Sequence, residues 1–225
     1  MRASIQTLTH ISFNGYISLL ESSRYYDFLE LRFPLLTSLE LGSLFSTSSP
    51  EHSNTAITRF IIAHPTIRHL SLGKLTTISH QADENNDPIS FQFDENFLRA
   101  DALPNLRSFE GFPKNITVLV LQKVQSLLEL TKLSLSSNRK DRSLVRMFEA
   151  VKTGLVDGGP GDGCFPHVRD LAVEFHPDLS HNMETNLSDL AYRKCLDGFS
   201  EICPAVINWY GTMGPMNAVS SLHYS

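Results

Sequence analysis

The residues Phe33-Pro34-Leu35-Leu36-Thr37-Ser38-Leu39-Glu40-Leu41 carry a pattern that this chain repeats. The pattern is a proline, an apolar residue two positions later, two mostly polar residues, and then one or two apolar residues at alternate positions. It returns in four later stretches, which are His64–Leu72, Leu103–Phe109, Phe165–Val173 and Cys203–Trp209. Self-similarity of this kind is the sequence signature of repeat proteins, so the repeats decide the fold.

The apolar spacing within each copy predicts a β-strand. The last two apolar residues lie two positions apart, which places them on one face of an extended segment and leaves polar residues on the other face. Predicted strand segments begin at Leu8, Leu36, Ile67, Leu106, Ile116, Leu130, Val168 and Val206.

Helical patterns lie between these segments and end close to a proline. A proline cannot continue a helix, and it pushes the residue before it towards extended geometry, so it marks the passage from helix to strand. Ser53 and Asn54 are plausible N-caps of one helix, which Pro65 ends. The other predicted helices cover residues 19–32, 94–102, 141–155 and 183–202.

Units that alternate a strand with a helix cannot bury an apolar face alone, so they stack on one another. We therefore predict an α/β protein, an irregular leucine-rich-repeat solenoid with parallel strands on the concave side and helices on the convex side. Residues 1–211 would form this single domain, and residues 212–225 a C-terminal tail. Loop insertions are expected near 77–93 and 154–164.

The proline-containing units resemble the repeats of fungal F-box/leucine-rich-repeat proteins. That resemblance implies substrate recognition for a cullin-type ubiquitin ligase. The chain departs from standard repeats because, of the positions that would carry Asn or Cys, only Asn138 conforms. No F-box is visible before the first repeat, so we expect only the recognition half, as in a C-terminal portion of a longer family member. A ubiquitin-ligase adaptor is an expected partner only if an F-box is supplied elsewhere.

Composition bounds the possible partners. The chain has 225 residues with a net charge of −5, which argues against binding to nucleic acid or to an anionic membrane. It contains no apolar run long enough to cross a membrane. Three sparse cysteines do not suggest a disulfide framework, which favours an intracellular protein of the cytoplasm or nucleus.

Several local motifs resemble functional sites without meeting their requirements. Asp83, Asn85, Asp87 and Asp94 have calcium-loop spacing, but Pro88 stands where that loop needs glycine. The glycine-rich residues 154–163 lack the Lys-Ser/Thr of a phosphate-binding loop and are interpreted as a linker. Cysteine and histidine spacings match no zinc module, and no serine lies in a nucleophile motif. We therefore predict no cofactor, no metal and no enzymatic activity, and we interpret Trp209 as a core residue.

The polar face of the strands is the predicted binding surface. Its mixture of small polar groups and both charge signs suits a protein partner. The principal residues are Ser38, Glu40, His69, Ser71, Ser108, Glu110, Lys132, Ser134 and Asp170, and the same face would include His10, Ser12, Val118, Val120 and Ala172. The expected function is a protein-interaction module; the alternatives are a degenerate or truncated copy without a stable partner and, more remotely, a hydrolytic enzyme.

Overall fold

The computed structural model describes residues 5–13, 27–42, 44–46, 50–73, 75–77, 91–138, 143–154, 165–176 and 197–212. Within them the protein is α/β, as predicted, because helices alternate with strands and every described strand pair is parallel. The strands are β1 His10–Phe13, β2 Ser38–Leu41, β3 Leu44–Ser46, β4 His69–Leu72, β5 Leu75–Thr77, β6 Ser108–Gly111, β7 Lys132–Asn138, β8 Asp170–His176 and β9 Asn208–Thr212. The helices are α1 Pro50–Ile62, α2 Pro113–Leu121 and α3 Ser143–Gly154, with 3-10 turns at Glu95–Phe97 and Gln125–Glu129.

The chain divides into two compact units. The first comprises Met1–Leu106 with Gln122–Ser126, and the second comprises Arg107–Leu121 with Leu127–Ser225. In the first unit β2 pairs with β1 and β4, while β3 and β5 form a separate two-stranded parallel sheet. In the second unit the strand order is β6-β7-β8-β9, and every pair is parallel.

The repeated proline occupies a β-turn that leads into the strand. In each copy the residue before the proline accepts a hydrogen bond from the backbone N–H three residues later, and proline's fixed φ suits the second position of such a turn. These bonds are Leu36 N–H to Phe33 O (3.1 Å), Ile67 to His64 (3.1 Å), Leu106 to Leu103 (3.0 Å), Val168 to Phe165 (3.3 Å) and Val206 to Cys203 (3.3 Å). The turn before β7 makes the same bond without a proline, from Leu130 to Leu127 at 3.3 Å.

The turns also fix the core. The residue before each proline is buried, and so is the apolar residue at the end of the turn in all copies but the last, where Val206 is half-buried. Leu39 and Leu41 continue this buried side along β2, as Leu70 and Leu72 do along β4. Most of the predicted apolar positions of the repeats therefore form the core of the strands, but Leu8 is exposed, and Phe13, Val206 and Trp209 are half-buried. Burying one large apolar side chain stabilises the fold by roughly 1.5–3 kcal/mol.

Seven of the eight predicted strand segments are strands, and the one that begins at Ile116 is wrong. This segment is α2, in which Ile116, Val118, Leu119 and Val120 are all buried. Burial of consecutive residues does not fit a strand with one solvated face, whereas Pro113 suits the first position of a helix. An apolar pair three residues apart is compatible with either structure, which is why the pattern misled. Val118 and Val120 consequently do not belong to the polar strand face.

The predicted helices agree with the structure to different degrees. The helix at 141–155 is confirmed by α3. Of the helix predicted at 19–32, residues 27–30 are helical and residues 31–32 are not, and of the one predicted at 183–202, residues 197–202 are helical; the other residues of both predictions lie outside the described ones. Helix α1 begins at Pro50, so Ser53 and Asn54 lie inside it and are not its N-caps. The predicted helix at 94–102 is wrong beyond a single 3-10 turn, which Asp94 caps by accepting a hydrogen bond from Asn96 N–H.

In the second unit, α3 packs closely against the helical residues 197–202. A Cβ atom on Gly198 would lie 3.1 Å from the ring of Phe148, so the glycine permits this approach. The Phe148 and Phe199 rings meet edge to face at 4.8 Å, and Phe199 meets Trp209 in the same way at 5.6 Å. Lys152 and Glu201 form a surface ion pair at 2.8 Å. Trp209 is therefore a packing residue, as its position in the repeat predicts.

Strands β3 and β5 are absent from the prediction and follow a glycine that ends the preceding strand. The sequences Leu41-Gly42-Ser43-Leu44 and Leu72-Gly73-Lys74-Leu75 repeat one another, and this repetition is the signal that could have revealed them. The glycines stack: a Cβ on Gly73 would lie 2.7 Å from the carbonyl carbon and oxygen of Gly42. Gly73 N–H also donates to Leu41 O at 2.6 Å, which holds the two backbones together.

We expect Gly73→Ala to lower the free energy of unfolding by about 1–3 kcal/mol, since the added methyl group can be accommodated only by moving the Gly42 backbone. Chemical denaturation of the full chain measures this loss. Ser71→Ala, on the polar face of the same strand, is the matched control and should leave stability within about 0.5 kcal/mol of the parent. Equal stability of the two variants would contradict the glycine contact.

Candidate functional site

Parallel pairing in the first unit aligns polar side chains of neighbouring strands into two rows. His10, Ser38 and His69 are in register in one row, and Ser12, Glu40 and Ser71 in the other. Each row alternates along the strands with buried leucine or isoleucine. All six side chains are exposed or half-buried, so the predicted polar face is present in this unit.

The register of the first unit is held by the backbone just before each strand. The Thr9 carbonyl accepts hydrogen bonds from Thr37 N–H and Ser38 N–H, at 2.8 and 3.1 Å. The Thr37 carbonyl accepts in the same way from Arg68 and His69, at 2.8 and 3.0 Å. On the polar face Ser12 Oγ donates to Glu40 Oε2 at 2.7 Å, which orients this carboxylate across two strands.

The second unit carries a wider polar face because β7 and β8 are longer. Its pairing produces rows of four, four and two described side chains. These are Ser108, Lys132, Asp170 and Asn208; Glu110, Ser134, Ala172 and Tyr210; and Ser136 with Glu174. Each of these side chains is exposed or half-buried. All nine principal residues predicted from the sequence therefore lie on polar strand faces, four in the first unit and five in the second.

Charge on the second face is mixed and predominantly negative. Among the side chains of this face that the structure describes, Lys132 is the single cation, whereas Glu110, Asp170 and Glu174 carry carboxylates. Asn208 Nδ2 donates to Asp170 Oδ1 at 2.7 Å, so this carboxylate is oriented by the neighbouring strand. Among the described residues, no ion pair or hydrogen bond holds the side chain of Glu110 or Glu174.

The prediction missed Asn208, Tyr210, Ser136 and Glu174. Asn208 and Tyr210 flank Trp209 in the last copy, so the alternation that assigns Trp209 to the core also assigns its two neighbours to the polar face. Ser136 and Glu174 lie beyond the last apolar residue of the pattern, on strands that extend further than the pattern does. Tyr210 is 56% exposed and is the largest side chain of the face.

The calcium-like pattern has only one of its four residues among those described. Asp83, Asn85 and Asp87 lie outside the described residues, as do most of the predicted insertions. Asp94 Oδ2 accepts a hydrogen bond from Thr55 Oγ1 at 2.5 Å, and its backbone N–H donates to Thr58 Oγ1 at 3.0 Å. The Thr55 hydroxyl lowers the pKa of Asp94. This aspartate therefore attaches the segment that follows residue 90 to α1.

A second contact secures the same segment. The Arg59 guanidinium lies over the Phe97 ring, 4.4 Å from its centroid. Asn54 Oδ1 accepts from Gln92 N–H at 3.2 Å, while Phe91 and Phe93 are buried beneath. Asn54, one of the two residues that were predicted to cap α1, thus binds a returning segment of the chain.

Metal-binding clusters are not present within the described ranges: no three His, Cys, Asp or Glu side chains there are grouped to hold an ion. Cys203 is buried at the first position of its β-turn. Cys164, His181 and Cys195 lie outside the described residues. None of the helices in the described ranges is both long and apolar enough to span a membrane.

His64 occupies the buried position before Pro65 that Phe33 and Phe165 fill in other copies. Phe33 N–H donates to His64 Nε2 at 2.9 Å, and His64 Nδ1 lies 2.6 Å from Phe60 O. A carbonyl only accepts, so Nδ1 carries the proton and the ring is neutral. Burial lowers the pKa of His64 below its ordinary value, the Phe60 carbonyl opposes this, and the Arg32 charge adds to the lowering.

We expect acid to destabilise the protein through His64. Its pKa is lower in the folded than in the unfolded chain, so its contribution is fully present above the unfolded value of 6.5 and is lost as pH falls below it. Urea unfolding between pH 7.5 and 5 measures this decline.

His64→Phe should be less stable at pH 7.5, since Phe33 N–H loses its acceptor, and its stability should decline less as the pH falls. The exposed His69→Gln should keep the full decline; an unchanged pH profile in His64→Phe would contradict the assignment.

Comparison with known proteins adds no relative. No protein-family model, curated protein or solved structure matches the chain. The functional argument therefore depends on the polar strand faces themselves.

Proposed function

We propose that this chain is a protein-interaction module that binds a protein partner through the polar faces of its parallel strands. The supporting observation is the register, which places polar side chains of successive repeats side by side in rows. Small hydroxyl groups next to charges of both signs match the polar, solvated rim of a protein interface. Backbone hydrogen bonds already hold the strands that carry these rows. The strands therefore lose little conformational entropy on binding, which favours affinity.

The repeats are proposed to stack as a leucine-rich-repeat solenoid, with the strands on its concave side and the helices on its convex side. One parallel strand per repeat supports this arrangement, and a proline turn precedes five of these strands. The resemblance to fungal F-box/leucine-rich-repeat proteins then makes the chain the substrate-recognition part of a ubiquitin-ligase receptor in the cytoplasm or nucleus. Contact with the ligase adaptor would require an F-box in addition to these repeats.

We expect charge reversal on either face to reduce partner capture. Glu40→Lys changes the first unit and Lys132→Glu the second, and both positions lie on the solvated side of their strands. Affinity capture from cell lysate, read by quantitative mass spectrometry, should show at least one protein that the parent chain enriches and that a face variant loses about fivefold or more, about the upper value for an exposed ion pair.

Glu149→Lys is the matched control, because Glu149 is exposed on α3 and away from the strand faces. Circular dichroism and thermal melts must show that all variants remain folded. Capture that is equal in the parent, the face variants and the control would refute binding through these faces. An adaptor among the captured proteins would support the ligase assignment, and an empty eluate would favour a copy without a stable partner.

A further inference from the structure

The sizes of the side chains in one row of the second polar face define a shallow trough. Glu110, Ser134, Ala172 and Tyr210 lie in register on four adjacent strands. The two middle residues are small, whereas a glutamate and a tyrosine stand at the ends. Neighbouring strands lie about 4.8 Å apart, so the trough spans about 14 Å between the end residues and is floored by two strands.

Acidic groups surround this trough on several sides. Glu110 closes one end, Asp170 lies two residues before Ala172 on the same face of β8, and Glu174 lies two residues after it. Lys132 is the one basic residue in these rows among the described residues, while Arg107 and Arg169 lie just before β6 and β8. Three carboxylates against one ammonium leave a local charge of about −2, which attracts cations and repels acidic partners.

Tyr210 provides an aromatic surface at the other end. Its side chain is 56% exposed and, in the described part of the chain, makes no ring contact or hydrogen bond. Glu174 pairs in register with Thr212, so it lies diagonally opposite Tyr210, within reach of a group that stacks on the ring. Exposed tyrosines next to small residues are typical of binding hot spots.

We propose that this trough, together with Glu174 beside it, binds an arginine side chain presented by the partner protein. The guanidinium would stack on Tyr210 and hydrogen-bond to Glu174, while its aliphatic stem lies over Ala172. Arginine fits better than lysine because its planar, weakly hydrated cation both stacks and forms paired hydrogen bonds with a carboxylate. This inference rests on the proposed function, and it specifies that the partner protein presents an exposed arginine.

The test uses the full chain labelled with ¹⁵N and titrated with N-acetyl-arginine methylamide. Saturable shifts of the Ser134 and Ala172 amide signals are expected, with binding about threefold tighter than that of the lysine analogue. Glu174→Gln should weaken the arginine probe about threefold, and Tyr210→Ala by a similar factor. Glu149→Gln on α3 should leave its affinity unchanged.

Ala172→Leu fills the trough while retaining every surrounding charge, and it should abolish the saturable shifts. If that variant unfolds in a thermal melt, Glu174→Gln and Tyr210→Ala decide the question. No saturable shift at Ser134 and Ala172, or equal affinity for the arginine probe and N-acetyl-glutamate methylamide, would overturn the proposal. If the arginine probe does not bind but Lys132→Glu still reduces partner capture, the trough is not the site and the proposed function stands. If the probe does not bind and Lys132→Glu leaves capture unchanged, the polar face is not a binding surface.

Discussion

The hydrogen bond that closes each β-turn is the constraint on which the strands depend. It joins the carbonyl of one buried residue to the N–H of another, three residues later, so both ends of the turn are anchored in the core. Proline at the second position restricts the unfolded chain to conformations near those of the turn, which reduces the entropy lost on folding. The turn before β7 forms without proline, so burial of Leu127 and Leu130 is sufficient to maintain the geometry.

The turns set the register, and the register creates the polar faces. The carbonyl just before a strand receives two N–H groups from the following repeat, at Thr9 and Thr37 in the first unit and at Arg107, Thr131 and Arg169 in the second. A shift of one residue would exchange buried leucines for solvated polar groups, so the core excludes any other pairing. The buried residues of the strands thereby determine which side chains face the solvent.

The periodic features of this structure could be predicted from the sequence, because a repeated pattern reports a repeated environment. Seven strands and the nine principal residues of the polar faces follow from apolar alternation, whereas β3, β5 and the β-turn at each proline were not predicted. Features that depend on tertiary context could not be predicted in this way. The three-residue spacing of Ile116 and Leu119 fits a helix and a strand equally well. The segment forms the helix α2, in which consecutive residues are buried. Asn54 and Asp94 carry capping chemistry, but Asn54 accepts a bond from Gln92, a residue remote in sequence. Tyr210 was visible in the pattern and was overlooked because the last copy is the weakest.

The local origin of the turns has a consequence for how such a chain tolerates change in length. Because each turn aligns its own strand, the number of residues between two turns need not be constant: 31 separate Leu36 from Ile67, and 39 separate Ile67 from Leu106. Insertions and deletions between turns alter the connecting segment without displacing the strand that follows, and a longer loop adds only slowly to the entropic cost of closure. Distant relatives of this chain would therefore align by their buried residue-Pro-x-apolar turns and not by any fixed period. Their connecting segments are free to vary in length and composition during evolution.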